Sequence, residues 1–111
     1  MNFNPPFSFF SLEEQRIFNK FPKMFRQADL PMTETCMCWG LEIPKSWYFV
    51  IEELAGYINE IAPDCIEFCD IKQKWGELRV YYDVVGEISK EQENQIDKLI
   101  DKAEYECEII R

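Results

Sequence analysis

The chain has no histidine. A cysteine or serine nucleophile therefore has no imidazole to activate it, and the commonest neutral metal ligand is missing. Glycine is scarce, at four residues, and none sits in a phosphate-cradling loop or a nucleophile elbow. No apolar run approaches the length of a membrane span. The N-terminus lacks a basic stretch followed by a continuous apolar one, and Pro5 and Pro6 interrupt it, so no secretory signal is expected. Positive charge is missing from a whole segment. Between Ser46 and Ile71 there is no Lys or Arg, against the carboxylates of Glu52, Glu53, Glu60, Asp64, Glu67 and Asp70.

What the chain does have is acid. Its net charge is −9, and eighteen acidic residues lie from Thr33 to Arg111 against eight basic ones, whereas the first thirty-two residues are slightly basic. A surface of that sign repels nucleic-acid phosphates and anionic membranes and steers basic partners inward. At 111 residues and 47% hydrophobic, with nine Phe, five Tyr and three Trp, the chain is a single globular domain rather than a disordered tail. Five cysteines is an odd number, which fits reduced thiols in a cytoplasmic setting better than a disulfide framework.

Hydrophobic spacing sets the expected elements. Residues 1–10, rich in Phe and broken by proline, form an extended lead-in. Ser11 and Glu14 make a capping box for a helix over 11–27, with Ile17, Phe18 and Phe21 on its apolar face and Pro22 breaking or kinking it. An irregular connector spans 28–44. Trp47, Val50, Ile51, Leu54, Ile58 and Ile61 recur at three- and four-residue steps and predict a helix over 45–62, capped by Ser46 and ended by Pro63 and Asp64. Residues 65–85 read as a β-hairpin around Trp75-Gly76. In its first strand Ile66 and Phe68 share one parity and Cys69 and Ile71 the other, which predicts a bulge or a strand covered on both faces. Ser89 and Gln92 form a second capping box for a helix over 89–110. The expected fold is α+β, with helices packed on one face of a small antiparallel sheet. Two strands alone are marginal, so a third from the connector or the N-terminus is expected.

The run Cys38-Trp39-Gly40-Leu41-Glu42, then Trp47-Tyr48, then Ile71-Lys72-Gln73-Lys74-Trp75-Gly76-Glu77-Leu78-Arg79-Val80-Tyr81 resembles an uncharacterised family of small bacterial and phage proteins. The specific part is the Lys-x-Lys-(Phe/Trp)-Gly-x-Leu-Arg-x-Tyr hairpin; Ala103-Glu104 matches a pair in that family's last helix. Where family members carry Cys-Gly-Asp-Gly, this chain has Ile43-Pro44-Lys45-Ser46. In many members a Cys-Glu-x-Cys-Gly segment follows the last helix, and no such run occurs up to Arg111. The resemblance implies a phage or prophage setting and no established chemistry.

Several groups are candidate sites. Cys36, Cys38, Cys65 and Cys69 offer four thiolates, but their spacing is not that of a zinc knuckle, and packing in the core explains them more simply. No metal or other cofactor is expected. Glu67 and Asp70 near the hairpin are a carboxylate pair of a kind common in so acidic a chain. Lys72, Lys74, Trp75 and Arg79 form the local basic cluster, either a ligand site or a turn whose Trp75 and Leu78 are buried while its charges discourage strand pairing. A small-ligand or enzyme pocket would lie near Trp39, Trp47, Trp75 and Arg79. Phe3, Phe7, Phe9 and Phe10 would cover the core or anchor an interface. The last helix carries Glu93, Asp97 and Asp101 at four-residue steps, with Lys98 and Lys102 in a separate row. The expected function is therefore non-enzymatic: binding, and inhibition, of a host protein with a basic surface, with no direct contact to nucleic acid or membrane. Self-association stays open. The expected contacts are Glu52, Glu53, Glu60 and Asp64, and on the last helix Asp97, Asp101 and Glu104. The alternatives are a metal-stabilised adaptor module or the small pocket.

Overall fold

A computed structural model describes residues 10–110; Phe3, Phe7 and Phe9 lie outside them. The helices are α1 (Leu12–Lys20), α2 (Tyr48–Ile61) and α3 (Lys90–Ile110), and between α2 and α3 lies a hairpin of β1 (Ile66–Lys74) and β2 (Glu77–Val84). Short 3-10 turns at Arg26–Asp29, Met37–Trp39 and Lys45–Trp47 punctuate the path from α1 to α2. The architecture is α+β in the order expected from the periodicity. No helix among the described residues is long and apolar enough to cross a membrane.

The first capping box forms and does a second job. Ser11 Oγ accepts from the Glu14 N–H at 3.1 Å, and Glu14 Oε1 accepts from the Ser11 N–H at 3.0 Å. The other Glu14 oxygen accepts from the Leu41 N–H at 2.8 Å, so one buried carboxylate ties α1 to the connector. Gly40 makes that approach possible. Its φ is +75°, and a Cβ there would collide with the Glu14 carboxylate and crowd the Phe10 ring. The helix is shorter than the expected 11–27. It stops at Lys20 because Phe21, placed before Pro22, leaves the helical region (φ −130°, ψ 63°), and only a 3-10 turn resumes at Arg26.

α2 buries Val50, Ile51, Leu54, Ala55 and Ile58, with Trp47 fully enclosed at its start. Ser46 does not cap it. The chain enters α2 directly from the Lys45–Trp47 turn, and no side chain caps the first turn. The Ala62 N–H closes the helix on the Ile58 carbonyl at 2.9 Å, and Asp64 then turns the chain with φ +63°.

The hairpin turns on Trp75 (φ +57°) and Gly76 (φ +79°), both positive as a two-residue type I′ turn demands. Lys74 opposes Glu77 at the turn, and Ile66 opposes Val84 at the far end. The register slips between Phe68 and Asp70, so Cys69 is the bulge implied by the parity switch. Because of it, Ile66, Phe68 and Ile71 all reach the core. The expected third strand shrinks to a single parallel bridge between Glu42 and Lys72, with the Glu42 N–H on the Ile71 carbonyl at 3.2 Å and the Gln73 N–H on the Glu42 carbonyl at 2.9 Å. Pro44 follows two residues later, brings no N–H, and leads into the 3-10 turn, so the pairing cannot lengthen.

The core closes around these elements. Phe10, Phe18, Phe25 and Phe68 form a relay of rings with centroids 5.3, 4.8 and 5.1 Å apart, joining the start of the described chain to β1. On α3 the second capping box is complete: Gln92 Oε1 accepts from the Ser89 N–H at 2.7 Å, and Ser89 Oγ accepts from the Gln92 N–H at 3.0 Å. Gln92 Nε2 also donates to the Ile61 carbonyl at 2.8 Å, fastening the start of α3 to the end of α2. Ile96, Ile100, Ala103 and Cys107 then form the buried stripe.

Candidate protein-contact surface

The acids divide into those the fold already uses and those it leaves unpaired. Glu52 belongs to the first group. Arg16 donates to both of its oxygens at 2.9 and 2.8 Å and Lys20 donates at 2.9 Å, and these hydrogen bonds hold its pKa down at about 2. Asp64 pairs with Lys23 at 3.3 Å, and Asp97 accepts the Tyr82 hydroxyl at 2.7 Å. Burial and that carboxylate together raise the Tyr82 pKa. Glu53, Glu60 and Asp101 are exposed and make no ion pair among the described residues. Glu104 is half-buried, and burial followed by the Asp101 charge raises its pKa, opposed by Arg79.

The outer row of α2 combines those unpaired acids with aromatic surface. Phe49, Glu53, Tyr57 and Glu60 follow one another at four-, four- and three-residue steps, and Phe49 and Tyr57 are about half exposed, at 53% and 49%. Beside the row lies a groove of about 540 Å³ lined by Phe21, Phe49 and Gly56 and by the side chains of Glu52, Glu53 and Glu60. A smaller hollow of about 220 Å³ shares Lys20, Phe21 and Asn59 with it and reaches Asp64. A Cβ at Gly56 would meet only the tip of the Phe21 ring, at 3.8 Å, so the wall of the groove there is open. α3 carries a comparable row, with exposed Tyr105 and Ile109 following Asp97 and Asp101 at four-residue steps. Reading charge alone passed over the exposed Phe49, Tyr57, Tyr105 and Ile109. The signal was there: large apolar residues recurring on the polar side of two amphipathic helices.

At the hairpin, Leu78 is fully buried as expected but Trp75 is not; it is 86% exposed. At the tip of a two-residue turn, Trp75 lies beyond the last paired residues Lys74 and Glu77 and outside the packed core. Lys72 pairs with Asp70 at 2.9 Å and lies over the Tyr81 ring, while Lys74 is exposed with no ion pair among the described residues. Arg79 pairs with Glu77 at 2.6 Å and reaches the Leu78 carbonyl at 3.4 Å, which blunts the outer edge of β2 against further strands. Of the aromatic residues that would frame a small pocket, Trp47 is completely enclosed, whereas Trp39 is 60% exposed and Trp75 more so.

The face of the hairpin turned away from α3 holds a polar network. Arg26 grips Glu67 through two hydrogen bonds of 2.7 and 2.8 Å, and Gln27 Nε2 bridges Glu67 and Asp83 at 3.1 and 2.9 Å. Thr35 Oγ lies 2.8 Å from Gln27 Oε1 and accepts from the Met37 N–H at 3.1 Å. Arg26 lowers the Glu67 pKa, so this carboxylate stays ionised and has no proton to give at neutral pH. The network fixes the connector to the sheet. The cysteines are all free, and burial raises the thiols of Cys69 and Cys107 to about 11 and that of Cys38 upward, which disfavours their thiolates. Among the described residues, no three Cys, Asp or Glu side chains are grouped to hold a metal ion.

No protein-family model, no curated protein and no solved structure matches the chain. The likeness in the Ile71–Tyr81 hairpin therefore rests on those residues alone.

Proposed function

We propose that this chain is a small acidic protein-binding module of phage or prophage type, which docks on the basic surface of a bacterial host protein and inhibits it. The observation that carries this reading is the outer row of α2, where exposed Phe49 and Tyr57 alternate with the unpaired carboxylates of Glu53 and Glu60. Aromatic anchors supply the desolvated centre of an interface, and the flanking charges supply orientation and on-rate. Because Glu52 and Asp64 are already paired with Arg16, Lys20 and Lys23, the working acids on this face are Glu53 and Glu60. A shaped anionic surface of this kind competes for sites that otherwise hold nucleic-acid phosphates, as in a defence nuclease, and inhibition follows from that occupancy without any chemistry by the chain itself.

The test is capture from host extract on the immobilised wild-type chain and on the double variant Glu53→Lys, Glu60→Lys. The expected result is a protein with a basic surface held by the wild type at low salt, lost on the variant, and inhibited when the wild type is added to its own assay. An identical set of proteins on both baits contradicts the proposal.

A further inference from the structure

The hairpin tip breaks two local rules at one residue. Type I′ turns favour Asn, Asp or Gly at their first central position, because positive φ crowds any larger side chain. Trp75 occupies that position at φ +57° and also leaves 86% of its surface in water. A strained, exposed indole gains nothing inside its own chain, and such departures concentrate where a side chain serves an outside contact. Next to it Lys74 is exposed and unpaired among the described residues, so the tip is an aromatic ring beside a cation.

The groove beside α2 has the opposite character. It is lined by Phe21 and Phe49, opened by Gly56, and edged by the unpaired carboxylates of Glu53 and Glu60 and by the Lys20–Glu52 ion pair, whose charges offset each other. The groove is shallow and open, with a volume of about 540 Å³. Trp75 does not line the groove of its own copy. We infer that the groove takes the hairpin tip of a second copy of this chain, with the Trp75 indole against Phe21 and Phe49 and Lys74 facing Glu53 and Glu60. The inference shares with the proposed function the reading of α2 as a contact face, but it does not depend on any host target. Two different patches meet, so the contact is heterologous and either closes into a ring or runs on from copy to copy. The net charge of −9 on each copy opposes the approach at long range, while the local charges favour it. Physiological salt screens the former more than the latter, since the Debye length there is about 8 Å.

Sedimentation equilibrium of the full chain in reductant at physiological salt tests this, using two variants that leave the core alone. Trp75→Asn removes the anchor and suits the turn. Gly56→Leu fills the groove from a half-buried helix position where a Cβ would meet only the tip of the Phe21 ring, at 3.8 Å. The expected result is concentration-dependent association of the wild type that is weakened at least about tenfold in each variant alone, as removal of a central aromatic anchor does. Mixed together, the two variants form a one-to-one complex, because one keeps the groove and the other keeps the tip. A wild type that stays monomeric into the millimolar range, undiminished association of Trp75→Asn, or no complex in the mixture would each overturn the inference. Capture of a host protein on α2, measured separately, would survive any of these results.

Discussion

The Glu52 carboxylate, prominent in an acidic stretch, is spoken for by Arg16 and Lys20, residues 36 and 32 positions away. Those partners sit on another helix, so no local pattern around Glu52 announces them. Its folded pKa of about 2 lies below the ordinary 4.5, so the stabilising effect is fully present above about pH 4.5 and is lost as pH falls towards 2. Arg16 and Lys20 are more than half exposed, which limits the effect through solvent screening. Glu52→Gln is expected to cost about 1 kcal/mol in urea unfolding at pH 7 and to show a smaller loss than the wild type between pH 4.5 and 2. Trp75 makes the reverse case. The spacing placed it in a turn, correctly, but a tryptophan there suggests burial, and only the two-residue geometry reveals that it lies beyond the last paired residues. Trp75→Asn is expected to raise stability by about 1 kcal/mol, read as a higher melting temperature, because Asn tolerates positive φ at less cost.

At the scale of elements, what was legible is what is local. Both capping boxes join residues three apart, and the bulge at Cys69 shows itself as a parity change within one strand. The third strand was not legible, because its length depends on where the connector turns after Pro44. The fastening of α3 to α2 through Gln92 and the Ile61 carbonyl also joins residues far apart in the chain, and the sequence shows only its local half. That difference can be measured. Ser89→Ala is expected to cost about 1 kcal/mol through the lost cap. Gln92→Ala is expected to cost more, because it removes the cap contact and the bond to Ile61 together, and to speed amide exchange in the first turn of α3. Equal costs for the two variants would mean that the Ile61 bond contributes nothing.

For the whole molecule, the −9 charge is less informative than its distribution. The fold spends Glu14, Glu52, Glu67 and Asp70 on its own bonds, and Glu67 and Asp70 are almost fully buried. The outer row of α2 keeps its acids free and sets them among exposed rings. The proposal that α2 is a contact face rests on this contrast, which is invisible in composition. The most direct measurement is the affinity of the purified chain for its captured target as salt rises from about 0.05 to about 0.5 M, for the wild type and for Glu53→Lys, Glu60→Lys, since screening shortens several-fold over that range. The expected result is a wild-type affinity that falls at least about tenfold, with the variant weak throughout and nearly insensitive to salt. A wild-type affinity unchanged by salt, or a variant that binds as tightly, would contradict the assignment of α2 as the binding face.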